Sequence, residues 1–442
     1  MFKPGEFMKT TDFTVFKERR KKLLEDIKKQ YSETQKGVVI LYADLERAKY
    51  RFRQNSSFYY LTGIEEPGVA ICLYFDGREV LYVPNFGAER GKWVQESICF
   101  VCEGGEKQQE NLMRIKVDEI KYLGDQCKGY YLGYFFNNTE HKALLEDLDG
   151  FIDKETIVCS FSEECHSSYF SQVYRFQKCM SVLASKEYTV FDIAKIVHDM
   201  RRTKSEDELT VIQKAVDITT KTHEYIARII SKGFFEHEVE AMISYSFLQF
   251  KASGCAFPTI VASGECGAIL HYTGRDRKFK DGDLVIIDIG AEYKNYCADI
   301  TRTYPVSGKF TQRQKEIYLA VLETQLYVSA IAKPGMYINN SEKEDESLHH
   351  LAVKELEKRG FAQYFIHGIG HFLGLDVHDV GNRTKPIQQG DVFTIEPGIY
   401  IPEEGIGIRI EDDFVITQDG CECLSADLVK HMHEIEELMR IK

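Results

Sequence analysis

A chain of 442 residues, 43% hydrophobic and 28% charged, has the composition of an ordinary globular protein with room for two or three domains. Its net charge of −13, from 56 basic and 69 acidic residues, excludes a global attraction to nucleic acid or to an anionic membrane. There is no apolar run of the ~18 residues that a membrane span needs, and the N-terminal stretch lacks a secretory apolar region. With twelve cysteines scattered through apolar or loop contexts, reduced thiols and a cytoplasmic location are expected.

Taken in order, Lys17 to Lys22 (KERRKK) with Leu23 and Leu24 predicts an amphipathic helix from Phe13 to about Gln30, its basic face in solvent. Gly37 to Tyr42 reads as a buried strand. Val69 to Phe75 and Val80 to Val83 read as a hairpin around Gly77. Residues 1 to about 180 therefore form a small α/β domain with its own sheet. Cys99 and Cys102 have CxxC spacing, but no second pair or nearby histidine completes a zinc site.

The pattern changes between Cys179 and Tyr188, which marks the domain boundary. Ser205 and Glu208 then form a capping box for a long helix through Ile212, Val216 and Ile226. Further helices are expected at Glu236 to Lys251, Thr311 to Ile331 and about Glu346 to Arg359. Strand hairpins lie between them, and this segregation predicts an α+β fold for residues 181–442. Cys421 and Cys423 fall after the last expected strand and read as structural.

Two of the hairpins carry acids inside apolar runs. Asp288 lies in the strand around Val285 to Ile289, and Asp299 in the run from Tyr296 to Tyr304. A loop centred on Tyr293-Lys294 would set Asp288 opposite Asp299, at the ~5 Å Cβ separation of facing residues. Two carboxylates that close repel, and a divalent cation between them resolves the conflict. The arrangement recurs: a turn centred on Glu403-Glu404 places Glu396 opposite Glu411. Acids are seldom buried unless paired or liganded, so two such hairpins predict a metal centre.

The glycine-rich stretch from His367 to Asp379 adds three histidines within twelve residues, His367, His371 and His378. The spacing does not choose among them. One histidine with four carboxylates would make an oxygen-rich set, suited to two divalent ions such as Mn²⁺ or Co²⁺. His271 stands at a strand end before a polar loop, where a structural role and a place at the metal site both remain open.

Together ILHYT, DITRTYPVSGKFT, HGIGHFLGLDVHD, TIEPGIY and GIGIRIEDD resemble the pita-bread metallopeptidases, and within them aminopeptidase P. FRQNSSFYYLTG and the preceding FKERRKKLL resemble that family's N-terminal domain, so the likeness spans nearly the whole chain. The resemblance implies that residues 1–180 are the aminopeptidase P N-terminal domain and residues 181–442 the catalytic domain. It implies five metal ligands, Asp288, Asp299, His371, Glu396 and Glu411, with Asp299 and Glu411 bridging two ions, most often Mn²⁺, with Co²⁺ or Zn²⁺ as substitutes. By the same resemblance, His271 and His378 hold substrate and stabilise the transition state, Glu396 moves the proton, and His367 and Arg409 support the ligands. The implied substrates are peptides with proline in second position, and the implied assembly is a homodimer or homotetramer. Prolidase is the nearest rival, since it shares these ligands, and the tight Tyr400–Gly405 connection favours the aminopeptidase over it. A binding module with a dead site is the rival of another class, and the complete ligand set argues against it.

Overall fold

A computed structural model of the protein describes residues 13–32, 34–46, 51–87, 90–93, 106–128, 136–162 and 170–440. Internal contacts divide the chain into two compact units, Met1–Arg201 and Arg202–Lys442. Among the described residues no helix is long and apolar enough to cross a membrane. Cys99 and Cys102 lie outside the described residues.

The first unit holds β1 (Gly37–Tyr42), β2 (Ala70–Tyr74), β3 (Glu79–Val83), β4 (Glu119–Tyr122), β5 (Ile157–Ser160) and β6 (Thr189–Asp192). They form one mixed sheet in the order β4-β3-β2-β1-β5-β6. Central β1 pairs antiparallel with β2 and parallel with β5, and all six of its residues are buried. A strand covered on both faces reads as an unbroken apolar run, which is why GVVILY shows no alternation. β6 pairs with β5, and Cys179 lies in this unit's core, so the change of pattern after Cys179 falls inside the first unit.

The N-terminal helix spans Thr14–Lys28. Its basic run is not wholly solvated, because Arg20 is buried. Arg20 Nε donates to Glu79 Oε2 at 2.9 Å, and Nη1 donates to the Leu61 carbonyl at 3.1 Å. Helical spacing puts Arg20 on the apolar face, four residues after Phe16 and three before Leu23, a signal that a charge count overlooks.

The second unit packs long helices against short antiparallel strands. Ser205 caps the helix Glu206–Ile229, its hydroxyl accepting from the Glu208 N–H while the Glu208 side chain accepts from the Ser205 N–H. The other helices include Glu236–Gln249, Gln312–Ile331 and Leu348–Glu357. The strands are β7 (Gly254–Cys255), β8 (Ile260–Ser263), β9 (Leu284–Ile289), β10 (Ala291–Tyr293), β11 (Tyr296–Cys297) and β12 (Ile300–Pro305), then β13 (Val392–Ile395), β14 (Gly398–Ile401), β15 (Ile406–Arg409), β16 (Asp412–Ile416) and β17 (Cys421–Cys423). They pair as β12-β9-β8, β11-β10-β7, β13-β16-β17 and β14-β15. Cys421 and Cys423 thus do not follow the last strand; they form it.

Period-2 alternation sorts these strands into two faces. Ile287, Ile289, Phe393, Ile395, Ile408 and Ile410 belong to one large apolar core with the helices. Asp288, Thr394, Glu396, Arg409 and Glu411 occupy the intervening positions and share the opposite face. Core and polar face are therefore two sides of the same strands.

The first acid hairpin differs in register from the expectation. Lys294 and Asn295 both have positive φ, 50° and 66°, so the turn is centred between them, with Tyr293 paired to Tyr296. β9 and β12 keep that register, with Ile289 opposite Ile300 and Asp288 opposite Thr301. Asp299 therefore falls opposite Gly290, not Asp288. A Cβ on Gly290 would run into the Ala298 carbonyl oxygen, a backbone atom that cannot swing aside. Gly290→Ala is expected to destabilise the protein by about 2–3 kcal/mol, the cost of forcing atoms into filled space. Urea unfolding of the variant measures this.

Candidate metal centre

The two-residue shift keeps the acids of the first hairpin on one face. Gly290 lies two positions from Asp288, just past the end of β9, so Asp299 opposite it is the diagonal neighbour of Asp288. Diagonal pairs are ~7–8 Å apart, a span that a cation between the side chains can bridge. The second hairpin keeps the predicted register. Ile395 pairs with Asp412 and Gly398 with Arg409, so Glu396 and Glu411 face each other between these pairs. An antiparallel bridge from Phe372 to Phe393 brings His371 alongside.

The five residues converge in space. Asp299, His371 and Glu411 are buried, and each brings a ligand atom within 4.8 Å of the others'. His371 Nε2 is 3.4 Å from Asp299 Oδ2 and 3.6 Å from Glu396 Oε1. Its Nδ1–H donates to the Phe372 carbonyl at 3.1 Å, which turns Nε2 toward the acids as a lone-pair donor. Burial and the neighbouring His378 push His371 down to about 3, so the ring is neutral as a metal ligand requires.

The carboxylates are under strain of the opposite sign. Burial, then Glu411 and Asp288, raises Asp299 well above the usual carboxylate range. Burial, then Glu396 and Asp288, does the same to Glu411. Glu396 is pushed up to about 7, by burial first and Asp288 among the charges. Asp288 Oδ1 and Asp299 Oδ1 are buried without a hydrogen-bond partner. Stranded oxygens in a crowded acid cluster, beside a neutral imidazole with its ε nitrogen turned inward, fit a divalent cation.

Arg409 gathers the surroundings. Its Nη2 donates to Asp288 Oδ2 at 2.7 Å, Nε to Thr301 Oγ1 at 3.1 Å and Nη1 to the Tyr400 hydroxyl at 2.8 Å. The Thr301 hydroxyl in turn donates to Glu411 Oε2 at 2.6 Å. Tyr400, raised to about 12 by burial, donates to His367 Nε2 at 3.0 Å, while His367 Nδ1–H donates to the Gly368 carbonyl at 2.9 Å. Burial, then Arg409, holds His367 down at about 3. Arg409→Lys loses the planar fork that spans these three oxygens and is expected to lower kcat/KM about 10- to 100-fold at unchanged metal content. Metal analysis beside steady-state kinetics checks both halves.

His378 stacks edge-on with its ring centroid 4.2 Å from that of His371. His271 is exposed, in the segment after β8, and its charge bears on both His367 and His378. Sequence reasoning missed Thr301, Thr394 and Tyr400, and also Asp413, whose carboxylate accepts from the Asp299 N–H at 3.1 Å. The signal was present: Thr301 is two residues from Asp299, Thr394 two from Glu396, and Tyr400 four from Glu396, all even steps along extended chain.

Residues 210–418 match the model of metallopeptidase family M24, and residues 16–99 match that of the aminopeptidase P N-terminal domain. The Xaa-Pro aminopeptidase of Escherichia coli strain K12 is 35% identical over 420 residues, covering 89% of this chain and 90% of that protein. The structure of zinc-substituted E. coli aminopeptidase P in complex with product superposes with a TM-score of 0.79 at 31% identity, covering 97% and 98% of the two chains. A Xaa-Pro dipeptidase of Pyrococcus furiosus is 38% identical over 260 residues, covering 58% of this chain and 71% of its own.

Proposed function

The chain belongs to the aminopeptidase P family of M24 metallopeptidases, and from that premise we propose that it removes the first residue from peptides with proline in second position. The hydrolysis would use divalent ions, two in number, which Asp288, Asp299, His371, Glu396 and Glu411 would hold. Mn²⁺ is the expected metal, with Co²⁺ or Zn²⁺ as substitutes. The observation that carries this reading is the convergence of Asp299, His371 and Glu411 in one buried, partner-poor acid cluster. A cytoplasmic homodimer or homotetramer without nucleic-acid or membrane partners completes the proposal, and the net charge of −13 supports its last part.

Bound cations at such a site lower the pKa of a water and polarise the scissile carbonyl. The chain's own residues do the rest. Glu396 can take a proton from the attacking water and return it to the proline nitrogen. That nitrogen carries no N–H, so recognition falls on the ring's shape and on the substrate's free α-amine. His271, from its exposed segment, and His378, beside His371, hold the substrate and stabilise the oxyanion.

The Pyrococcus similarity supports a second reading, a dipeptidase acting on free Xaa-Pro. Against it stands the connection after Tyr400, a single turn of Pro402–Glu404 closed by Gly405 at φ 62°. Hydrolysis of Ala-Pro and Ala-Pro-Ala, with Mn²⁺ supplied and then chelated, decides. Metal-dependent release of alanine from the tripeptide, with the dipeptide cut poorly, is expected. Preference for the dipeptide would establish the second reading, and no cleavage of either with metal bound would refute both.

A further inference from the structure

His271 lies in a segment that a single buried carboxylate organises. The segment leaves β8 at Ser263, makes a 3₁₀ turn over Gly264–Ala268, passes exposed His271 and returns at Arg277. Glu236, the first residue of the helix Glu236–Gln249, is 1% exposed and lies beneath it. Its Oε1 accepts from the Ser263 N–H at 3.0 Å and from the Ser263 hydroxyl at 2.7 Å. Its Oε2 accepts from the Arg277 N–H at 3.2 Å and from the Tyr272 hydroxyl at 2.9 Å. One carboxylate thus ties both roots of the segment and the residue directly after His271.

The roots are fastened independently as well. Arg277 Nη1 donates to Ser263 Oγ and to Asp283 Oδ2, Nη2 donates to Glu265 Oε2, and the Arg277 carbonyl accepts from the Glu236 N–H. The phenol of Tyr272 is a different kind of tie, because it reaches down from the middle of the segment, one residue from the histidine. Bonds to a buried carboxylate are charge-assisted and directional, so they fix a position as well as a fold. Glu236 touches neither the acid cluster nor any group assigned to substrate.

We propose that Glu236, through the Tyr272 hydroxyl, is the positioning residue that sets where His271 meets the substrate. This rests on the reading of His271 as a substrate-facing group. Glu236 then governs turnover without contacting a reacting atom, because a misplacement of about 1 Å at a catalytic group can cost on the order of 100-fold in rate.

A double-mutant cycle tests it on the full-length, metal-loaded enzyme with Ala-Pro-Ala. Tyr272→Phe removes one oxygen and leaves the ring in place, so melting temperature and bound metal are expected to stay at the parent values. kcat/KM is expected to fall about 10- to 100-fold. In a His271→Ala background the same substitution is expected to change kcat/KM less than about twofold, since two changes acting through one group do not add. Glu236→Gln, which keeps an acceptor oxygen but loses the charge, is expected to show the same coupling to His271. Equal losses in both backgrounds, or parent activity in Tyr272→Phe, would overturn the proposal. His271→Ala at parent activity would overturn the substrate reading beneath it, a result recognisable because it appears before Tyr272 is touched.

Discussion

Asp299→Asn is expected to lower kcat/KM by at least about a thousandfold, several kcal/mol of lost metal-centred stabilisation, while raising the melting temperature of the metal-free protein. The two effects have one cause. Asp299 is buried among Glu411, Asp288, Asp413 and Glu396, and these neighbours together with burial force its proton affinity far up. Without cations that crowding is a cost of folding, and a neutral amide of the same shape relieves it. With cations, the charge that Asn lacks is what would hold them. The backbone N–H of residue 299 keeps its bond to Asp413 in the variant, so the fold loses nothing there. Melting curves in EDTA and kinetics in Mn²⁺ read the two halves. A variant less stable than its parent in EDTA, or one still active, would show that Asp299 is a structural acid.

The second large effect is the dependence of metal stabilisation on pH. Between pH 6.5 and 8 the metal-free protein is expected to lose stability, and the gap in melting temperature between Mn²⁺-loaded and stripped protein is expected to widen. Asp299, Glu411 and Glu396 have folded pKa values raised above those of the unfolded chain, Glu396 to about 7. The stability tied to such groups is full below the unfolded values and is lost as pH rises through the folded ones. A group that keeps its proton in the folded chain after the unfolded chain has released it loses about 1.4 kcal/mol of stability per pH unit, until its folded pKa is passed. His367 and His371, both held at about 3, run the other way, losing stability as pH falls below the ordinary histidine value. Above pH 7.5 they are largely neutral in both states, so the upper part of the window isolates the carboxylates. Cations that displace the protons reverse the penalty, and two sites filled at about 100 times their Kd would add roughly 5 kcal/mol. A gap that stays constant or narrows as pH rises would count against a metal at these acids.

How much of this was legible depended on turn chemistry. Pro402 and Gly405 bracket the second connection plainly, so the facing of Glu396 and Glu411 could be read by counting outward from it. The first turn was misplaced by one residue, because Tyr293-Lys294 looked as central as Lys294-Asn295. Asn295 was the overlooked sign, since asparagine tolerates the left-handed backbone that a tight hairpin needs. Moving a turn centre by one residue changes each pairing by two. The face is kept and only the neighbour changes, so Asp288 still met Asp299, but diagonally. What alternation could not supply was connection across strands. The bonds from Arg409 to Asp288, Thr301 and Tyr400 join three separate strands, and no local pattern announces them. Nor could a charge count say that Arg20 would be buried against Glu79.

The sharing of β9, β13 and β15 between an oily side and an acid side also bears on how this molecule fails. A slip of one residue in any of these pairings would turn carboxylates into the core and isoleucines toward the metals. A chain cannot then be packed and yet mis-assembled at its centre, because the same register decides both. Errors of synthesis or refolding should yield competent molecules and unfolded ones, with few compact but silent species between. Specific activity per bound metal should therefore stay constant across preparations of very different yield, and turnover itself becomes a count of correctly registered chains.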